Sequence, residues 1–326
     1  MSPAIELTGF RGTPVWELLT AHYLLMIQAG AWAMLAGCVP RVLGFKHPGG
    51  IRVWGVLAGT GLALAAPLNL VAELLSPERF ATMLYRIHPT SPLSWGVGAI
   101  LALTLLGLAE CRVLLRGDTA GSPWSSRLAS LAALGVVAYT WVEVDRAVGI
   151  PLWSGFFPSV TLAASGMAAG LAVCQGLDHL TSGRSARRVP RLLAALACAI
   201  SGLTLYGWGT LSPWPELPGW ATGSILLASG SGALLLAAGL YLRKSEKSLL
   251  WACLLALGGT WSARMGILMT GQAAALGRNL GEPHLTGHAG MLTSLAPIAL
   301  WVFLMFAASL VLSRMPGLAG REGGLS

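Results

Sequence analysis

The chain has 326 residues, of which 55% are hydrophobic and only 10% charged, with a formal net charge of +8. Soluble domains carry about 25% charged residues, so this composition excludes an ordinary soluble globular protein and belongs to the bilayer class. The basic excess sits in short loops between long apolar runs, where contact with anionic lipid accounts for it without nucleic acid.

Crossing the hydrocarbon core takes about 20 apolar residues per helix. In chain order the apolar runs predict nine transmembrane spans, near 16–39, 53–75, 92–114, 128–149, 155–177, 190–212, 219–242, 248–270 and 292–313. The runs are apolar all round, whereas surface helices of soluble proteins keep a polar face. The opening segment MSPAIELTGFRGTPVWE lacks a basic n-region, and the first run is too long for a signal-peptide core, so the first helix is expected to be retained. The polar, Gly-rich stretch 270–292 separates the ninth span from the rest.

One stretch of the first span, AGAWAMLAGC (29–38), is echoed by SGMAAGLAVC (165–174) in the fifth. Small residues favour close helix packing in membranes. The echo suggests an all-α integral membrane fold of two similar four-helix bundles, residues 1–150 and 151–275, followed by one extra C-terminal helix and tail, 276–326. An even number of spans per repeat makes the repeat parallel.

Orientation follows from the basic residues. Of the 21 Lys and Arg, fifteen lie in the loops after spans one, three, five and seven and in the C-terminal tail. Five lie on the other side (Arg11, Arg79, Arg86, Arg146 and Arg278), and Arg264 lies inside a span. The positive-inside rule predicts an external N-terminus and a cytoplasmic C-terminus, in the inner membrane of a bacterium or archaeon. The external loops carry Glu78, Asp145, Glu216 and Glu282 and a Pro/Trp-rich turn, SPWPELPGW (212–220), suited to the interface.

The five cysteines are scattered along the spans with no C-x-x-C pair, so neither a disulfide framework nor an iron–sulfur cluster is expected. Of six histidines only His22 lies clearly within a span, which argues against haem held by paired histidines. His284 and His288 lack the glutamate of a zinc-binding H-E-x-x-H. The chain is therefore expected to carry no haem and no metal.

Ionisable groups inside a span cost about 2.5–3.5 kcal/mol each on insertion scales and are functional candidates by default. They are His22, Glu73, Glu110, Glu143, Asp145 and Arg264, with Gln28, Asn69 and Tyr139 as uncharged polar companions. Tyr139 and Glu143 share a helix face, being four residues apart. In the predicted orientation most of the set gathers in the outer half of the bilayer. Glu110 falls near the cytoplasmic end of the third span, where it is expected to pair with Arg112 or reach water. Arg264 has a structural alternative, pairing with Glu73 or Glu143.

Residues 73–96 read ELLSPERFATMLYRIHPTSPLSWG. This segment resembles the polysulfide-reductase membrane-subunit family, the NrfD/PsrC type. That family shows an acid–Leu–x–x–Pro–x–Arg–Phe stretch, matched by Glu73, Pro77, Arg79 and Phe80, then a Ser-Pro-(Met/Leu)-Ser-Trp-Gly box, matched by Ser91 to Gly96. Further likenesses follow in order. Tyr139-Thr140 sits where the family has Tyr-Thr-Gly, with Trp141 in place of the Gly. PLWSGFFPSVTLAASGMAAG (151–170) resembles the family's entry to helix five, and GGTWSARMGILMTGQ (258–272) its eighth helix. The first-helix Gly-rich stretch is loosely kept as MIQAGAWAMLAG (26–37).

The resemblance implies two four-helix bundles without haem. It also implies electron exchange between a membrane quinone, menaquinone or ubiquinone, and an extracytoplasmic iron–sulfur subunit wired to a molybdopterin catalytic subunit. A ninth helix is similar to the tetrathionate-reductase branch. The family's quinone-site positions map to Tyr139 and His22, and its proton-moving acid and arginine to Glu73 and Arg264. On this reading His22, Tyr139, Gln28 and Asn69 bind the quinone, and Glu73 and Glu143 relay protons while Arg264 acts on them by its charge. Two other functions stay open on the sequence. A secondary transporter or proton channel fits repeated bundles with buried charge, although Pro67 is the main mid-span proline and no matching broken helix is evident. A purely structural membrane anchor would not need the buried His/Tyr/acid/Arg set.

Overall fold

The computed structural model describes residues 18–45, 50–73, 85, 86, 88, 90–116, 123–146, 150–153, 155–182, 188–211, 220–243, 245–276 and 288–313. The opening segment, the Pro77–Arg79–Phe80 part of the family stretch, residues 212–219 of the Pro/Trp turn, His47, His284 and the C-terminal tail lie outside the described residues.

Ten α-helices form. They are α1 (Leu18–Val42), α2 (Gly50–Ala65), α3 (Pro67–Glu73), α4 (Pro92–Leu115), α5 (Trp124–Asp145), α6 (Phe156–Ser182), α7 (Arg188–Leu211), α8 (Trp220–Tyr241), α9 (Glu246–Leu276) and α10 (His288–Ser313). A 3₁₀ turn, Pro151–Trp153, precedes α6. Among the described residues eight helical spans are long and apolar enough to cross a membrane, with α2 and α3 counted as one; α10 adds a shorter apolar stretch, Leu295–Leu310. The protein is thus an all-helical integral membrane protein of about nine spans.

The second span is broken where the sequence places Pro67. Proline has no N–H and its ring clashes with the preceding turn, but it is well suited to open a helix. Accordingly α2 ends at Ala65 and α3 begins at Pro67. Asn69 gathers the loose backbone: its N–H and its side-chain Nδ2 both donate to Ala66 O, each at 3.1 Å.

Helix packing falls into two rings. In the first, α1 packs on α2 and α5, α2 on α4, and α4 on α5; in the second, α6 packs on α7 and α9, and α8 lies between α7 and α9. The rings meet chiefly through α1 and α6, with α2 and α9 beside them. The most apolar windows of α1 and α9 are each 72% buried and that of α4 only 22%, so α1 and α9 are central and α4 faces lipid.

Small residues allow the central contacts. A Cβ on Gly55 would lie 2.6 Å from Ala33 O, and one on Gly59 2.8 Å from Gly30 O. A Cβ on Gly170 would lie 2.8 Å from both Ala29 O and Ala33 N. The two echoing stretches therefore pack directly on one another, backbone to backbone. Gly55→Val is expected to cost about 1–3 kcal/mol by forcing α1 and α2 apart. A lowered unfolding midpoint in detergent, measured against a lipid-facing control such as Leu105→Val, checks it.

The eighth span runs six residues past its predicted end at 270, to Leu276. Gly271 and Gln272 read as a polar break in the sequence, but Trp153 of the 3₁₀ turn holds them in the helix. Its indole Nε1 donates to Ile267 O at 2.9 Å, and its ring occupies the space a Cβ on Gly271 would take. Gln272 Nε2 donates back to Leu268 O.

Candidate functional site

Where the rings meet, one arginine ties three helices together. Arg264, in the middle of α9, is 1% exposed. Its Nη1 donates to Leu24 O at 2.6 Å, and its Nη2 to Gln28 Oε1 at 2.6 Å and to Leu162 O at 3.3 Å, with Ser165 Oγ at 3.5 Å. Among the described residues its hydrogen-bond partners are neutral groups of α1 and α6, which corrects the expectation of a pairing with Glu143; the Glu73 side chain lies outside the described residues. Helix packing brings carbonyl lone pairs and the Gln28 amide within reach of a planar fork, and these engage both Nη groups without a counter-charge, while Nε has no hydrogen-bond partner among the described residues.

Gln28 extends the network to α5. Its Nε2 donates to Thr140 Oγ1 at 2.6 Å, and Thr140 in turn donates into its own helix. The neighbouring Tyr139 faces another part of α1. Its hydroxyl accepts from Tyr23 at 3.2 Å, and both rings are buried. Glu143, one turn along, adjoins the Tyr139 hydroxyl. Glu143 Oε2 is enclosed and has no hydrogen-bond partner among the described residues.

The Ser-Pro-Leu-Ser-Trp-Gly box now has a physical role. Ser91 stands in extended geometry as the N-cap of α4, and Pro92 opens the helix. A Cβ on Gly96 would fall 2.2 Å from the Tyr139 ring, so the glycine is the seat on which that ring lies.

The remaining candidates flank this centre. His22 is 8% exposed and lies against Trp261 of α9, ring centroids 6.1 Å apart. It thus faces the second ring, while its neighbour Tyr23 faces Tyr139. Asn69 is fully buried in the break of the second span, with Met26 Sδ at 3.5 Å from Nδ2 and with Oδ1 lacking a hydrogen-bond partner among the described residues. Glu73 closes α3. Asp145 ends α5 and is exposed. Glu110 is not in water and not explained by Arg112: it is fully buried and faces Arg41 of α1, 3.8 Å away. Among the described residues no three His, Cys, Asp or Glu side chains gather to hold a metal ion.

The family model described as polysulphide reductase, NrfD, matches residues 6–204. The chain belongs to the NrfD family. NrfD proteins are membrane subunits of polysulfide-reductase-like complexes, and a membrane-anchor role within such a complex follows. The NrfD match takes in α1 to α7 almost entirely, hence His22, Gln28, Asn69, Tyr139 and Glu143; Arg264 lies beyond it. No curated protein matches the chain.

Four residues of the site were not singled out in the sequence. Tyr23 and Trp261 looked like ordinary span aromatics, Thr140 entered only as the neighbour of Tyr139, and Ser165 only as part of the small-residue echo. The replacement of glycine by Trp141 is accommodated at the helix surface, where its indole donates to Ser159 Oγ of α6 at 2.6 Å.

Proposed function

We propose that the chain is the quinone-interacting subunit of a molybdopterin and iron–sulfur oxidoreductase of the bacterial or archaeal cytoplasmic membrane. It passes electrons between menaquinol or ubiquinol and an extracytoplasmic iron–sulfur subunit, in a complex that reduces a sulfur compound such as polysulfide or tetrathionate. The observation that carries this reading is the buried Tyr23–Tyr139 hydroxyl pair with an enclosed carboxyl oxygen of Glu143 beside it that has no hydrogen-bond partner among the described residues.

The residues fit the group. A quinone is an apolar ring with two oxygen handles, and its pocket needs apolar walls with a few placed polar atoms. Met26 and Trp261 supply apolar surface, while Glu143 Oε2 and Asn69 Oδ1 are buried acceptors with capacity to spare. When bound, a quinol supplies two electrons and two phenolic protons. The Tyr139 hydroxyl would hold one ring oxygen, with Tyr23 fixing its direction. Glu143 would accept a proton through the Tyr139 hydroxyl, the route that the spacing of one turn allows. His22 against Trp261 and Asn69 in the broken helix would bound the other side. Glu73, at the end of α3, is positioned in sequence to carry the proton outward.

The orientation in this reading, N-terminus outside and C-terminus inside, is supported by the distribution of Lys and Arg. It puts the Tyr139 end of α5 on the side of the iron–sulfur partner.

The test is purification of the intact complex from membranes. Co-elution with a ferredoxin-like subunit and a large molybdoenzyme, and quinol-driven reduction of one member of a panel of sulfur, nitrogen and arsenic oxyanions, are the expected results. A lone oligomer without redox partners would sink the reading. In the active complex Glu143→Gln is expected to slow quinol-driven turnover by about tenfold or more, since general-base contributions are commonly larger than that. Dye-driven activity of the catalytic subunit should be unchanged.

A further inference from the structure

At the end of the first ring where a short loop joins α4 to α5, three arginines are exposed. Arg112 stands in the last turn of α4, Arg116 is its C-cap, and Arg127 stands in the first turn of α5. Arg127 lies over the exposed Trp124 ring, its guanidinium carbon 5.1 Å from the ring centroid. Such a contact seats the cation without neutralising it. Among the described residues none of the three arginines forms an ion pair; the nearby Glu110 is fully buried and lies 3.8 Å from Arg41. The joining loop, 117–122, lies outside the described residues and holds one acid, Asp118, and no base, so base outnumbers acid at this end.

The arginines head two stripes of exposed leucine. On α4, Leu101, Leu105, Leu108 and Arg112 recur at spacings of four, three and four, which is one helix face. On α5, Trp124, Leu128 and Leu131 recur at four and three. The next member of that stripe, Gly135, meets α4: a Cβ there would lie 3.8 Å from Ala99 Cβ. The α5 stripe thus runs along the edge where the two helices touch. With Ala99 level with Gly135 in an antiparallel pair, Arg112 and Trp124 stand within about 3 Å of one another in height.

Each part of this surface has its counterpart in one kind of molecule. The leucines lie at the depth of acyl chains, the indole suits the headgroup level, and guanidinium forks match phosphate oxygens. An acidic protein segment would match the arginines and leave the leucines unmatched. Basic pockets between helices at the membrane face hold anionic headgroups. We infer that the α4–α5 end binds an anionic phospholipid, its phosphate held by Arg112, Arg116 and Arg127 and its chains laid along the leucines. This is more than the general basic excess of the loops. In the second ring, exposed Arg188 and Lys247 stand at helix starts on the same side, and Lys247 follows Glu246.

The experiment needs neither quinone nor partner subunits, so its outcome is separate from that of the proposed function. The full chain in neutral detergent, stripped of lipid, is titrated with phosphatidylglycerol, phosphatidylcholine or inorganic phosphate. Native mass spectrometry counts the bound lipid, and the thermal unfolding midpoint is followed alongside. Retention of phosphatidylglycerol in preference to phosphatidylcholine is expected. Its affinity should fall by about tenfold or more when Arg112→Gln and Arg116→Gln are combined, and should hold when Arg188→Gln and Lys247→Gln are combined. An equal fall in both double variants would show diffuse surface charge and overturns the inference. So does unaltered affinity in the first, equal binding of phosphatidylcholine, or a midpoint raised as much by inorganic phosphate as by the lipid. Should the first double variant not accumulate, Arg127→Gln decides: weakened binding supports the site, and unchanged binding overturns it.

Discussion

Replacing Arg264 by alanine is expected to destabilise the protein by about 3 kcal/mol or more, the largest stability effect of any single change at the site. The substitution removes the donors from Leu24 O, Gln28 Oε1 and Leu162 O at once. Hydrogen bonds to a charged group contribute about 1.5–3 kcal/mol each, and acceptors left unmatched inside the bilayer find no water. Arg264→Lys keeps the charge but not the planar fork that reaches α1 and α6 together, so it should recover only part of the loss. The protein carries its own reporter. Cys38, Cys174, Cys198 and Cys253 are free and buried, so labelling by a thiol-reactive dye during heating follows the opening of the helix bundle. An unchanged midpoint in Arg264→Ala would show that the three-helix tie does not hold the rings together.

Tyr139→Phe should have the largest effect on quinol-driven turnover with the smallest on stability. The ring stays on its seat at Gly96, and only the hydroxyl that faces Tyr23 and Glu143 is lost. If this hydroxyl carries the proton as proposed, its loss is expected to slow quinol-driven turnover by about 100-fold, the lower end of acid–base contributions. Dye-driven activity of the catalytic subunit should not change. His22→Ala is expected to act in the same direction from the other side of the proposed quinone site, with its tilted ring contact to Trp261 lost. Unchanged quinol kinetics in both variants would remove α1 and α5 from the site.

The sequence showed the spans because each is a long apolar run, but it presented the second, 53–75, as one piece, with Pro67 noted only as its mid-span proline; the break between Ala65 and Pro67 is a finding of the structure. Nor could the sequence show where α9 ends. Gly271 reads as a helix breaker until Trp153, more than a hundred residues earlier, is seen lying on it. The polar candidates were visible as exceptions in apolar runs, but their partners were not. Arg264 finds backbone carbonyls, which carry no sequence label, and Glu110 finds Arg41 rather than nearby Arg112 because α1 and α4 are brought together only by folding. Tyr139 and Glu143 were legible together since four residues make one turn. Tyr23 was not, because nothing in one helix says which neighbour its hydroxyl will meet.

The contact of α1 with α6 has a further meaning. It is built from backbone on backbone at Ala29, Ala33 and Gly170, with the Trp32 and Gln28 side chains lying against Gly170 and Gly166 beside it. Backbone in such close approach leaves the two helices little room to slide, so the spacing between the tyrosine pair on one side and the guanidinium on the other is set largely by main-chain geometry. Any movement that accompanies turnover must then be absorbed elsewhere, and the Pro67 interruption, with its single asparagine clasp, is the natural place for it.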